Sequence, residues 1–345
     1  MSEPEAPLSS PVHEPYRPIE VIIVRPTRPR YWLHVLLLLL TFFTTSVVGA
    51  QLQTNFEQGS PVFRGGDSFL PLFPIEWLWQ NPQSLLRGIP FSLTLMTILL
   101  AHEMGHYLCA MRYGVSATLP FFIPAPTLIG TLGAFIRIKS RIHSRTALLD
   151  IGIAGPIAGF VLAVPAAIIG LLLSRPAPIL DDNDISVGFP LIFHFLHQLL
   201  SGSSQVLKSH LLPTLNLHPI AIAAWVGMLA TALNLLPGGQ LDGGHIIYSA
   251  FPRAHKFISM ASILVLIPLA FISWAGWLVW ALMLGITGLR HPDVPIYSGL
   301  TQGRQRLVAL AVLMLFLTFI PAPFDHGSLA DMLNLRGRHI PFFSR

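Results

Sequence analysis

The stretch L-L-A-H-E-M-G-H-Y-L, residues 99–108, sets two histidines and a glutamate inside an apolar run that opens near Phe91. Each ionisable side chain costs at least a few kcal/mol near a bilayer centre, so those kept inside a span are functional by default. His102 and His106 are four residues apart, which on a helix puts both imidazoles on one face and within reach of one ion. Glu103 sits beside them, suited to hold and deprotonate a metal-bound water rather than to ligate. The three fit H-E-x-x-H, in which zinc lowers the pKa of water toward 7 and the glutamate is general base.

The rest of the chain supports a membrane setting. Of 345 residues, 52% are apolar and 11% charged, against roughly 25% charged in a soluble domain. The net charge of +5 does not point to a nucleic-acid partner, because the basic residues fall in short clusters beside apolar runs, as orientation signals do. The single cysteine, Cys109, excludes an intramolecular disulfide and a cysteine-based zinc site and reads as helix packing. The first 30 residues mix Pro, Glu and Arg without the pattern of a signal peptide. They read as a mostly disordered tail in which E-V-I-I-V could pair as a short strand.

Apolar runs predict spans over about Trp32–Val48, Phe91–Met111, Ala147–Leu173 and Ile220–Leu236. Lys256–Leu289 is too long for one span and reads as a hairpin turning near Ala275 and Gly276, and a last span covers Leu307–Ile320. That makes seven. Arg25, Arg28 and Arg30 precede the first span, and Arg112, Arg137, Lys139, Arg141 and Arg145 follow the second. Asp181, Asp182 and Asp184 follow the third, Arg253 and Lys256 the fourth, and Arg290, Arg304 and Arg306 the hairpin. The alternation predicts a cytoplasmic N-terminus, an external C-terminus, and cytoplasmic ends of spans two and four on the same side. Between the spans, L-P-F-F-I-P-A-P-T-L-I-G-T-L-G-A-F-I-R-I, residues 119–138, is apolar but too broken by Pro and Gly for a helix. It predicts a re-entrant loop or short hairpin buried against protein. F-P-L-I-F-H-F-L-H-Q-L-L-S-G, from Phe189, suits an interfacial helix on the outer side.

Zinc in a catalytic site needs a third protein ligand, with water in the fourth position. The soluble-protease patterns fail, since position 112 is Arg112, position 109 is Cys109, and no glutamate follows Glu103. Asp181, Asp182 and Asp184 belong to the opposite side, and Asp293, Asp325 and Asp331 to polar stretches, which leaves Asp150 and Asp242. Asp242 lies in N-L-L-P-G-G-Q-L-D-G-G-H, Asn234–His245, where Pro237 ends the span and glycine pairs let the backbone bend. Asp150 could ligate instead, cap the third span, or pair with nearby arginines. Asn234 could donate to a developing oxyanion or make an interhelical contact. His143 and His245 read as structural or substrate-lining.

H-E-x-x-H in an early span, G-T-L-G about 25 residues later, and N-L-L-P followed by L-D-G-G resemble the site-2 protease family of intramembrane zinc metalloproteases, peptidase family M50. The match covers roughly Phe91–Ser249, and threonine stands where cyanobacterial and plastid members carry the asparagine of G-N-L-G. The resemblance implies that His102, His106 and Asp242 ligate one Zn2+ per chain, that Glu103 is the base, and that Asn234 lies near the scissile carbonyl. It implies that Gly130, Thr131, Leu132 and Gly133 belong to an element pairing with extended substrate. It further implies single-span membrane-protein substrates and release of a membrane-tethered regulator after an earlier cut. The loop over 175–219 is too short for the PDZ domain some members carry, and the tail after Ile320 too short for a nucleotide-sensing domain.

The sequence therefore predicts an all-α polytopic membrane protein in the lipid bilayer, with about seven transmembrane helices and a re-entrant loop or membrane-associated β-hairpin after the second. Its expected divisions are a cytoplasmic tail over 1–30, the first span and external loop over 31–90, and a metalloprotease core over 91–250. C-terminal spans follow over 251–322, and a short tail over 323–345. The absence of an obvious transit peptide favours a bacterial cytoplasmic membrane over a plastid one. A zinc-binding transporter should spread polar groups along several spans, and a silent scaffold has no need of both motifs; neither fits as well.

Overall fold

A computed structural model describes residues 30–60, 62, 78–79, 81–177, 186–287, 294, 299–324 and 327–333. The E-V-I-I-V segment, Arg25, Arg28, Asp181, Asp182, Asp184, Arg290, Asp293 and Asp325 lie outside the described residues.

Among the described residues, each segment expected to span is largely helical. The helices are α1 (Tyr31–Glu57), α2 (Ile89–Arg112) and α3 (Arg145–Leu173), then the short α4 (Leu191–Leu200) and α5 (Gln205–Ser209). They continue with α6 (Pro219–Asn234), α7 (Asp242–Ala250), α8 (His255–Ile272), α9 (Gly276–Thr287), α10 (Gln302–Thr318) and α11 (Leu329–Met332). A 3-10 turn over Pro82–Gly88 leads into α2. Among the described residues, four helices are long and apolar enough to cross a membrane: α1, α2 with its leading turn, α3 and α8. The 16 residues of α6 rise only about 24 Å at 1.5 Å per residue, against a hydrocarbon core of about 30 Å. The turn between α8 and α9 falls at 273–275, where the length argument put it.

The broken segment is a hairpin rather than a helix. β1 (Phe121–Pro124) and β2 (Thr131–Phe135) pair antiparallel with Phe121 opposite Phe135 and an irregularity between Phe122 and Pro124. Bonds from Thr118 N–H to Arg137 O at 3.0 Å and Lys139 N–H to Ser116 O at 2.7 Å extend the pairing toward its base. A second small sheet, β3 (Arg175–Pro176) with β4 (Leu215–Asn216), was not expected from the sequence.

α2, α3 and α6 pack around one core that includes Phe91, Leu95, Ile98 and Leu99, then Ala163, Ala167 and Leu171, then Ala221, Ala224, Trp225 and Met228. The alanines let the backbones approach, which is how helices associate where lipid offers no hydrophobic drive. Pro156 and Pro165 lie inside α3, tolerated because packed neighbours and local adjustments re-satisfy the freed carbonyls. The α8–α9 hairpin forms a separate cluster around Leu266, Ala270, Trp277 and Leu284. α10 packs Ala311 and Met314 against Leu149, Ile153, Leu235 and Ile246.

Candidate metal centre

The last three turns of α2 carry His102, Glu103 and His106, all buried within the bundle. α6 ends at Asn234, the chain turns through Gly239 at φ +58°, and α7 begins with Asp242. The carboxylate thus sits in the first turn of a helix, where the positive end of the dipole favours it. The opposite end of α7 is tied by Arg145, whose guanidinium donates to the carbonyls of Ser249, at 2.8 Å from Nε, and Ala250.

The turn brings Asp242 back onto the histidines. Its Oδ2 lies 3.2 Å from His102 Nε2 and 3.2 Å from His106 Nε2, and the three ligand atoms lie within 4.8 Å of one another. Tetrahedral zinc with bonds of about 2.0 Å separates its ligands by about 3.3 Å, so the spacing suits one ion. The proton placement argues the same way. His106 Nδ1 donates to Ile151 O at 2.7 Å, which leaves the Nε2 lone pair facing the Asp242 oxygen. His102 Nε2 is approached by Asp242 Oδ2 and also by Asn234 Nδ2, at 3.4 Å, one needing a donor and the other an acceptor. A cation among them satisfies every lone pair. Burial alone would raise the Asp242 carboxyl, but the two imidazoles hold it well below the usual carboxylate range. The donor set of two imidazoles and one carboxylate fits zinc, with three protein groups leaving a fourth position for water.

Glu103 lies close enough to His106 and Asp242 to feel the charge of both, and on its other side the backbone N–H of Ile136, at the end of the hairpin, reaches its carboxylate. Asp150, the other aspartate the sequence left open, is engaged elsewhere. Arg304 of α10 donates to it from Nε at 3.1 Å and from a terminal nitrogen at 2.9 Å, and Tyr113 at the end of α2 donates to the same carboxylate. Burial and the Asp150 carboxylate push the Tyr113 hydroxyl's pKa up, so it stays a donor. His245 lies against Gly152 of α3, and His143 is exposed between the hairpin and α3.

A family model matches these same elements: that of peptidase family M50 covers residues 90–275, just over half of the chain. The chain belongs to peptidase family M50. Among curated relatives, it is 33% identical over 239 residues to "Probable zinc metalloprotease EGY1, chloroplastic" of Arabidopsis thaliana, covering 68% of this chain and 43% of that one. It is 32% identical over 264 residues to the EGY2 protein of the same plant, covering 74% and 46%. The rice EGY1 protein (Oryza sativa subsp. japonica) is 34% identical over 240 residues, covering 68% and 41%. The chain spans less than half the length of these relatives.

What the sequence reading of this M50 chain missed is the wall behind the histidines. α3 presents Gly155 and Gly159 to α2, and a Cβ built on Gly155 would stand 2.1 Å from His106 Nε2. One on Gly159 would stand 3.2 Å from His102 Nδ1. G-P-I-A-G, small residues four apart on a span, was the available signal.

Proposed function

We propose that this M50 chain is a zinc metalloendopeptidase that hydrolyses peptide bonds within or beside transmembrane segments of single-span membrane proteins. The observation that carries the reading is the convergence of His102, His106 and Asp242 inside an apolar bundle with Glu103 alongside. His102, His106 and Asp242 would hold one zinc, which when bound would supply Lewis-acid polarisation and lower the pKa of water toward 7. Glu103 takes the proton of the attacking water and returns it to the leaving amine. Asn234, whose amide reaches the same ring nitrogen as Asp242, donates to the oxygen of the scissile carbonyl as negative charge develops there.

A helical substrate keeps its peptide bonds hydrogen-bonded and shielded, so it must unwind before hydrolysis. Gly130, Thr131, Leu132 and Gly133 lie at the turn and start of β2, one end of which meets Glu103 through Ile136. We assign them to the edge that pairs with extended substrate by strand addition. The reading includes seven spans in a bilayer, with the zinc-binding end on the side of the basic clusters. A bacterial cytoplasmic membrane and release of a tethered regulator are its extensions. Purified wild type should contain about one zinc per chain and cleave a single-span reporter. Glu103→Gln should keep the zinc and lose at least about a hundredfold in rate. Equal cleavage by both proteins would sink the general-base role.

A further inference from the structure

We propose that α1 is a positioning element of the proteolytic site, holding the β1–β2 hairpin at both ends through His34 and Thr44. A two-stranded hairpin alone is marginally stable, so the place of this one is set by what it rests on. At its base, His34 Nδ1 donates to Pro120 O at 3.1 Å, and the imidazole packs on Phe121 with centroids 4.0 Å apart and the planes tilted by 34°. Phe121 in turn stacks on Phe135 across the strands, 5.5 Å between centroids and 25° between planes. The next residue is Ile136, whose N–H bonds Glu103. A row of three rings therefore runs from α1 to the neighbour of the residue whose backbone lies against Glu103.

At the tip, Thr44 Oγ1 donates to Gly130 O at 2.6 Å. Gly130 adopts φ +77°, and a Cβ on it would lie 2.6 Å from Thr44 O and 2.7 Å from Thr45 Cα. The turn is seated directly on the helix backbone, which only glycine permits. His34 and Thr44 are ten residues apart, about 15 Å along a helix, so the hairpin is pinned at two separated points and cannot pivot about either. Thr45 Oγ1, 2.6 Å from Ser92 Oγ, ties the same turn of α1 to α2. The hold and the histidine-bearing helix thus share one frame.

This role rests on the proteolytic reading, and the test separates the two. In full-length zinc-loaded protein, hydrogen exchange of amides 118–136 is compared among wild type, Thr44→Val, His34→Ala, the double variant and Thr44→Ser. Zinc content, kcat and KM for a single-span reporter are measured on each. The double variant should exchange these amides about tenfold faster or more and lose about tenfold in kcat with zinc unchanged, and Thr44→Ser should restore both. Unchanged exchange overturns the hold. Faster exchange with unchanged kcat overturns the positioning role, as does a kcat loss that follows zinc loss. Exchange needs no substrate, so it decides the hold of α1 even when wild type cleaves nothing, an outcome that would overturn the proteolytic reading itself.

Discussion

Replacing Gly155 by alanine adds one methyl group to α3 at the point where it meets His106. The added Cβ would stand 2.1, 2.4 and 2.5 Å from Nε2, Cδ2 and Cε1 of the imidazole, against about 3.4 Å for ordinary contact. The ring or the helix must therefore retreat by about 1.3 Å. The ring is not free to swing, because its Nδ1 is bound to Ile151 O on the same helix as Gly155. A displacement near 1 Å typically costs about a hundredfold in rate, and disturbing a ligand's support costs about 10- to 100-fold in metal affinity. Gly155→Ala should thus bind zinc at least about tenfold more weakly and cleave at least about a hundredfold more slowly. Gly303→Ala, where a Cβ would meet nothing within 4 Å, should match wild type in both. The assay is zinc content against a graded chelator, paired with reporter cleavage. Gly155→Ala with wild-type zinc affinity and activity would refute the packing argument and with it the close approach of α2 and α3.

The two aspartates should separate cleanly by metal content: Asp242→Ala loses the zinc, whereas Asp150→Ala keeps it and lowers thermal stability instead. Removing Arg304 as Gln leaves the Asp150 carboxylate with Tyr113 alone. Both ion-pair partners are partly solvated, so the loss should be about 1–2 kcal/mol, less than for a fully buried pair, read as a lower melting temperature with zinc retained. Burial, and then the Arg175 charge, lower the pKa of His218. Its neutral form is the folded one, so the unfolded chain takes up more protons between the depressed and the ordinary value, and stability falls as pH drops below about 6.5. Melting temperatures at pH 7.5 and 5.5 should differ less in His218→Asn than in wild type.

Much of this site was legible because its chemistry is dense and locally spaced. His102, Glu103 and His106 declare themselves by a four-residue spacing and by their position inside an apolar run, and elimination left two aspartates. The L-D-G-G resemblance already favoured Asp242 over Asp150, but what engages Asp150 instead was not visible in the sequence. Arg304, which occupies Asp150, comes from a helix 154 residues away, and no periodicity encodes that distance. The helices were legible from apolar length, although α6, α9 and α10 fall short of the length that marks a crossing by itself. The hairpin could be anticipated from its prolines and glycines, but not its seat on α1. His34 and Thr44 are ordinary residues in an apolar helix, and their importance lies in meeting Pro120 and Gly130, 86 residues away in each case. The glycines of α3 were visible as a pattern, yet only the fold showed that they face imidazoles.

The candidate metal centre is split along the chain, with Asp242 140 positions after His102. A nascent chain that has produced α2 and α3 holds the two histidines, Glu103 and Asp150 but not the Asp242 carboxylate that meets both imidazoles. The third ligand arrives only after α6 has been laid beside those helices and the chain has turned into α7. On the proposed reading, hydrolytic competence is acquired late in synthesis and all at once, and fragments ending before Asp242 should be inert toward their neighbours in the membrane.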